Sequence, residues 1–307
     1  MAITHLKTLF TKDINKNLFP KNSFYQKGAS RNDSSMVNAE QVVLYHAGST
    51  PTVRINDAQL KREAVKREDF TTKYDMVKIG TDPTAVTYNE DLVVDYSKRA
   101  SVLEEHHLGL KSAAAQYILN QWAAPAAQTS DSKPVMRTTG ADRPATYGTG
   151  TRKSLTLNDL HAIRTQFMKD DVVMDNICAV ITPEMHTDLL KIKEVVSSDF
   201  SSSKNLMNGA VGYFLGINFF VRSKVNVYDN TATPVLIPDG AALGNDTNEG
   251  ALFYCPQYVR WAHKPAKVFY DKDDARHKSD IMSTETRVGA AVSRKDGKGV
   301  IRLIEAQ

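Results

Sequence analysis

The densest run of side chains able to move protons or hold a metal is Asp271-Lys272-Asp273-Asp274-Ala275-Arg276-His277-Lys278-Ser279-Asp280. A calcium loop starting at Asp271 needs a glycine at its sixth position and a closing glutamate at its twelfth. Arg276 and Met282 stand there instead, and the interleaved Lys, Arg and His side chains repel a cation. The run reads as a solvated loop or an inter-subunit salt-bridge segment. His106 and His107 are adjacent on a helix, so they point about 100° apart and do not chelate from one face. His107 falls on the apolar stripe and reads as a hydrogen-bonded interface residue. His186 follows Glu184 without the H-E-x-x-H spacing of a zinc protease. No G-x-S-x-G elbow is present, and neither Cys178 nor Cys255 has a cationic setting that would favour a thiolate. Gly209, Gly212 and Gly216 have the wrong spacing for a dinucleotide turn and precede a strand. Asp296-Gly297-Lys298-Gly299 is hairpin-turn chemistry. These residues supply no catalytic set, no metal site and no cofactor motif.

Composition narrows the class further. The 307 residues are 41% hydrophobic and 24% charged, which is a globular balance and enough chain for a sizeable core. A net charge of +4 does not by itself imply nucleic-acid binding, but its placement is informative. Residues 1–36 carry Lys7, Lys12, Lys16, Lys21, Lys27 and Arg31 against Asp13 and Asp33, so the whole excess lies there and the remainder is neutral. A basic arm of this kind suits an acidic neighbour, phosphate, or simple solvation. Two distant cysteines exclude a disulfide scaffold and read as buried small hydrophobes. The first ten residues lack the apolar stretch of a signal peptide, and the most apolar window, Gly212–Val221, is far short of a membrane span. No membrane association is expected, and the origin is cytosolic.

The elements that would carry any function are unevenly distributed. Arm residues 1–36 hold isolated anchors at Leu6, Leu9, Phe10, Ile14, Leu18, Phe19, Phe24 and Tyr25, spaced to lie across another surface. A strand is expected at Val42–Tyr45 and a return strand at Tyr74–Ile79. Between them, twelve of the twenty-eight residues from Pro51 to Lys78 are charged, against 24% for the chain. Such a segment does not bury itself, and a two-stranded arm is marginal alone; its missing partners are expected from other copies. The spacing Tyr96, Ala100, Leu103, His107, Leu110, Ala114, Tyr117 or Ile118, and Trp122 predicts one long helix ending at Ala124-Pro125. A small hairpin pairing Val135–Thr138 near Tyr147 is expected in the Ala- and Thr-rich stretch that follows. Thr156 and Asp159 cap a helix to about Lys169, Ile177–Ile181 is a buried strand, and Thr182-Pro183 opens a third helix to about Val195. After a Ser-rich loop the chain is β-rich. Strands are expected at 217–221, 233–237, 251–254, 259–263, 268–270, 285–293 and 300–304. Trp122 and Trp261 read as packing residues.

Three stretches carry a family resemblance: Leu155–Phe167 (LTLNDLHAIRTQF), Ala179–Leu190 (AVITPEMHTDLL) and Gly212–Val225 (GYFLGINFFVRSKV). A helix, a strand ending in Thr-Pro, a second helix, and a Gly-x-x-x-Gly turn into a strand ending Arg-Ser follow in that order. With Ala251-Leu252-Phe253 and Gly299–Ile304, this order resembles the major capsid proteins of tailed bacteriophages, whose Hong Kong 97-like fold is shared with encapsulins. The resemblance implies an α+β chain with an N-terminal arm (1–36), an extended β-hairpin loop (37–95), and a spine helix with the first part of a peripheral domain (96–170). An axial domain (171–265) and C-terminal strands of the peripheral domain (266–307) complete it.

What the resemblance implies for function is self-assembly into hexamers and pentamers of an icosahedral head around double-stranded DNA, which is held by weak non-specific contact. The expected location is the virion shell, after synthesis in the host cytoplasm. A portal and separate scaffold or decoration proteins are implied partners, and no cofactor is. In the loop, Lys61, Arg62, Glu63, Lys66, Arg67, Glu68 and Asp69 are the expected inter-subunit contacts; in the arm, Phe10, Phe19, Phe24 and Tyr25. Residues 50–78 are expected to be separable from a folded subunit. Some family members form Lys–Asn crosslinks; Lys61, Lys66 and Lys73 lie in the loop, but no position is assigned that role. An encapsulin-like cargo compartment, a soluble enzyme with an unrecognised site, and a decoration or tail protein are the alternatives.

Overall fold

Residues 279–292 alternate so regularly that one long strand follows. Asp280, Met282, Thr284, Thr286, Val288 and Ala290 are all buried and share one face of a pleat of period two. The computed structural model describes residues 23–28, 31–36, 40–48, 51–56, 64, 66–87, 98–123, 134–173, 176–193, 212–294 and 296–307. In chain order the first elements are α1 (Ser23–Lys27), β1 (Arg31–Asn32), β2 (Gln41–His46), β3 (Phe70–Asp75), β4 (Val77–Gly80), β5 (Thr84–Thr87) and α2 (Lys98–Trp122). Next come β6 (Val135–Arg137), β7 (Asp142–Pro144), β8 (Thr151–Lys153), α3 (Leu157–Lys169), β9 (Ile177–Ile181), α4 (Pro183–Lys191), β10 (Tyr213–Phe214), β11 (Ile217–Val221) and β12 (Asn226–Asp229). The chain closes with β13 (Thr247–Tyr254), β14 (Val259–His263), β15 (Lys267–Asp274), β16 (Ser279–Val292) and β17 (Val300–Ile304).

The first sheet is organised by β16, which has antiparallel partners along its whole length. β5 pairs with 279–282, β15 with 279–285, β4 with 285–288 and β14 with 288–292. Partners that overlap on one strand must occupy opposite edges. Hence β4 and β5 run end to end along one edge of β16, and β14 and β15 along the other. β1 adds in parallel to β14. The second sheet has the order β10-β11-β9-β13-β17-β6, with β12 also on β13. It is buried on both faces, which is why β9 reads as an uninterrupted apolar run. Ile177, Ala179 and Ile181 face α3 and α4 through Leu160, Ile163, Phe167, Met185 and Leu189. Cys178 and Val180 face the opposite way, toward α2 and the first sheet.

The capping expectations hold in detail. Thr156 accepts from the Asp159 N–H while Asp159 accepts from the Thr156 N–H at 2.9 Å, a capping box that starts α3. Thr182 accepts from the Met185 N–H at 3.0 Å with Pro183 in the first turn of α4. The long helix spans Lys98–Trp122, but its buried stripe begins only at Leu110. Ala100 is exposed and Leu103 and His107 are half-covered, so the described residues cover the first three turns only in part. Tyr96, the expected first residue of the stripe, lies outside the described residues.

Several expectations need correction. Val135–Arg137 does not pair near Tyr147; it pairs in parallel with β17, filling that strand's second edge, and the local hairpin is β7–β8. Residues 233–237 form no strand beyond one bridge, Tyr228 to Leu236. Pro234 removes a donor there, and the Asp229 carboxylate takes the Val235 N–H at 2.8 Å, which makes a side-chain-held turn. Sheet membership also crosses the expected boundaries. Strand 300–304 belongs with 247–254 rather than with 279–292, while 259–263 belongs with 279–292. Residues 77–80 and 84–87, expected in the loop, are edge strands of the first sheet. These pairings join residues far apart in sequence, which local pattern does not encode.

A buried ionic group ties the β7–β8 hairpin to the C-terminus and α4. Arg143 pairs with Glu305 and lies 3.6 Å from Asp188. Arg152 donates to the carbonyls of Asn245 and Thr247 at 2.6 and 3.0 Å. Burial pushes the Glu305 carboxyl up to about 7, against the pull of Arg143 and with added repulsion from Glu249. An acid raised above its unfolded value of 4.5 loses its proton first in the unfolded chain. Its contribution is therefore complete below about pH 4.5 and lost as pH rises through about 7. His186 and His263, both lowered by burial, act in the opposite sense, so the test is a difference. Relative to Glu305→Gln, wild-type unfolding free energy should decline between these pH values by on the order of 3 kcal/mol, read by urea denaturation; a pH-independent difference would contradict the assignment.

Candidate assembly surfaces

The arm enters the molecule through two adjacent aromatics. Phe24 meets Trp122 edge-on at 5.9 Å between ring centroids, and Tyr25 meets Trp261 at 5.0 Å. Trp122 in turn packs on Tyr254 at 5.0 Å, and the Tyr254 hydroxyl donates to the Phe24 carbonyl at 3.1 Å. Phe24 and Tyr25, expected to touch a neighbour, are 1% and 2% exposed and belong to their own subunit's core. They correct the sequence reading because the spacing of apolar anchors marks them as buried without showing against whom. Phe10 and Phe19 lie outside the described residues. Trp122 and Trp261 are packing residues as expected, and the Trp122 indole N–H donates to the Arg260 carbonyl at 2.9 Å.

Asp33, which the sequence offered only as an arm charge, is a joint between three parts. It accepts from the Tyr74 hydroxyl at 2.9 Å and from Arg260 at 3.2 Å. Burial, then the Asp33 charge, pushes the Tyr74 phenol far up, which keeps its proton available to donate. Tyr74 sits at the root of the β2–β3 hairpin, where Val42, Leu44, Tyr74 and Met76 pack on Ala262. Among the described residues of the hairpin only this root is buried. Toward the tip, Tyr45, Val53 and Ile55 are 84%, 86% and 88% exposed.

The charged loop residues divide accordingly. Lys66, Arg67, Glu68 and Asp69 are exposed, while Lys61, Arg62 and Glu63 lie outside the described residues. Arg67 pairs with Asp69 at 2.7 Å, and Asp69 accepts from the Gly48 N–H at 2.8 Å. The Arg67 bond, then the Gly48 bond, holds the Asp69 carboxyl below the usual carboxylate range. Gly48 is required by this approach, since a Cβ there would lie 1.9 Å from the Glu68 carbonyl oxygen.

The run 271–280 is a hairpin end rather than a metal loop. β15 is exposed along its length, including Val268, Phe269 and Tyr270, and among the described residues its outer edge pairs with no further strand, which leaves a row of backbone groups there. Ser279 and Asp280 are the exceptions, both buried; Asp280 accepts from the Tyr270 hydroxyl at 2.6 Å and the Asp273 N–H at 2.8 Å and forms an ion pair with Arg99 at 2.9 Å. It anchors the start of α2 to the sheet, a role with no local sequence signal. His106 bonds Thr81 at 2.7 Å and His107 bonds the Leu103 carbonyl of its own helix at 2.9 Å, so the two do diverge. Cys178 and Cys255 are buried, and burial pushes the Cys178 thiol up to about 12. Among the described residues no group of three or more His, Cys, Asp or Glu is placed to hold a metal, and no helix is long and apolar enough to cross a membrane.

Burial of Phe24 in its own core has a direct consequence. Phe24→Ala should destabilise the unassembled subunit by about 3–5 kcal/mol in urea denaturation. A side chain reserved for a neighbour would leave that midpoint unchanged.

Residues 52–305 match the sequence profile of a family described as phage capsid protein. No curated protein matches the sequence. A solved structure from Mycobacterium phage Che8 is similar at TM-score 0.69 and 14% identity, covering 99% of this chain and 98% of that one. The capsid of the native GTA particle is similar at 0.68 and 12%, covering 99% and 97%. The mature capsid of bacteriophage PhiM1 is similar at 0.62 and 19%, covering 96% and 90%. At such identities the likeness is one of fold, and the fold is the α+β, Hong Kong 97-like arrangement anticipated from the sequence. The profile match, spanning most of the length, carries the rest: the chain belongs to the phage capsid protein family.

Proposed function

We propose that this chain is the repeating subunit of an icosahedral phage head, built as hexamers and pentamers around double-stranded DNA, with residues 47–69 laid on a neighbouring subunit. One observation carries the reading. The β2–β3 hairpin buries its root and leaves Tyr45, Val53 and Ile55 more than four-fifths exposed beside a row of charges. Two strands without a third are marginal in water, and large apolar side chains in that state are those a partner covers. Among the described residues, the first three turns of α2 and the outer edge of β15 add further incompletely covered surface. Lys61, Arg62, Glu63, Lys66, Arg67, Glu68 and Asp69 steer the contact more than they hold it, because an exposed pair contributes about 0–1 kcal/mol. Repeated through a symmetric shell, small terms still select register.

DNA is held weakly and without sequence preference, in keeping with a chain that is neutral beyond residue 36. The portal and separate scaffold or decoration proteins are the expected further partners, and synthesis in the host cytoplasm precedes the virion shell. The match to a phage capsid family favours a head over a cargo compartment.

The separable segment is shorter than 50–78, since Tyr74 and Met76 are core residues. Replacing residues 50–66 with a short Gly-Ser turn should leave a soluble subunit with thermal midpoint within about 4 °C of wild type. Negative-stain microscopy should then show no closed shells; normal shells from this variant would refute the proposed role of the loop.

A further inference from the structure

A strand packed on one face alternates exposed and buried positions. β15 does not, since every residue from Lys267 to Asp273 is exposed. Its apolar residues form an unbroken run, with Val268, Phe269 and Tyr270 at 39%, 44% and 47% exposure. One edge of β15 is held by β16 in consecutive pairs, from Lys267 opposite Glu285 to Asp271 opposite Ile281, before the register shifts. Among the described residues no strand lies against the other edge. Such an edge pairs with a further strand unless a charge, a proline or a bulge prevents it. Here Pro265 stands before the regular stretch and the register shift after it, so 267–271 is left open between them.

Charge decides what this edge accepts. The stretch reads Lys-Val-Phe-Tyr-Asp, basic at one end, acidic at the other and apolar between. Among the described residues neither Lys267 nor Asp271 has an ion pair, and Lys267 sits 4.9 Å over the Phe269 ring. Opposite an antiparallel copy centred on Phe269, the stretch is its own complement. We propose that β15 pairs edge to edge with β15 of a second copy of this chain, antiparallel about a two-fold axis at Phe269, so that the first sheet continues from one subunit into the next. The inference rests on the self-assembly reading above and adds a contact that the loop does not make.

Direction and register both follow from the residues. A two-fold axis through an antiparallel pair sets one residue against its own copy. With that axis at Val268 or Tyr270, Phe269 falls opposite Lys267 or Asp271, and an apolar ring meets a charge. A parallel pairing in register sets Lys267 beside Lys267 and Asp271 beside Asp271, and like charges directly opposite are unfavourable. With the axis at Phe269, two Lys–Asp pairs flank the two rings on one face, and two Val–Tyr pairs lie on the other. A strand from a different protein would need the same order of charges, whereas a second copy carries it already.

The test uses the full-length chain with cysteines introduced one at a time, in assembled shells. Directly opposite residues of an antiparallel pair have Cα atoms about 4.5–5.5 Å apart, within reach of a disulfide. Phe269→Cys should therefore form covalent dimers on mild oxidation. In Lys267→Cys the two positions are offset by four residues, roughly 13 Å, and dimers should be about tenfold scarcer. Cys178 and Cys255 are buried and do not compete. Lys267→Asp should raise the subunit concentration needed for assembly by about threefold to tenfold, and adding Asp271→Lys should restore it. Three results would each overturn the pairing and leave self-assembly intact: Phe269→Cys dimers no more abundant than those of Lys267→Cys, a double charge variant as impaired as the single one, or shell maps with nucleic acid or another segment along β15. A wild-type chain that forms no shells would overturn both.

Discussion

Five aromatic rings fix the geometry on which every other feature depends. Phe24 and Tyr25 come from the arm, Trp122 from the end of the long helix, Tyr254 from the second sheet and Trp261 from the first. Edge-on contacts of this kind contribute about 0.5–1.5 kcal/mol each beyond the area they bury. Their larger effect is directional, because a ring with neighbours on several sides has few places to move. Around this centre the helix meets both sheets at once, and the arm is drawn into the core before it can go anywhere else. Asp33 extends the same constraint outward by a few residues, since it joins the arm to Tyr74 and Arg260. The loop hairpin is thus mounted on the same rigid centre as the helix.

A rigid centre makes unfinished surfaces useful. A hairpin buried at its root and bare toward its tip presents its apolar side chains at a fixed angle, so a neighbour meets a defined shape rather than an ensemble. That reduces the ordering cost of association. The same exposure is hazardous before assembly, because open edges and bare aromatics invite indiscriminate pairing. The charges flanking these surfaces answer the hazard: Lys66, Arg67, Glu68 and Asp69 beside the loop, and Lys272, Asp273 and Asp274 along β15. They contribute little stability as pairs, but placing like charges together in a wrong register is penalised. Specificity here comes largely from what is disfavoured.

The elements whose causes are local were legible in the sequence. Thr156 with Asp159, and Thr182 with Pro183, announce helix starts because a cap is satisfied within three residues. The continuous apolar run of β9 announces burial on two faces. What remained hidden depends on long-range pairing. Nothing near Val135 marks β17 as its partner, and nothing near Val300 says that it leaves the strands preceding it for the other sheet. The same limit governed the candidate contacts. Phe24 and Tyr25 look alike whether they anchor to their own core or to another's, and only the positions of Trp122 and Trp261 decide between them. Asp33 and Asp280 gave no signal, since an isolated charge in sequence is usually a solvated one.

Two of the buried carboxylates bear on assembly through what they hold. Asp33 and Asp280 are each surrounded by donors within the chain, so they define the folded subunit and need nothing further. Asp33 fixes the root of the β2–β3 hairpin, and Asp280 fixes the start of α2 against the first sheet. Removing either would leave its donors buried and unpaired, which costs more than the lost pair itself. The surfaces beyond these joints are therefore set in angle by groups that are satisfied before any neighbour arrives, and association spends little on ordering them.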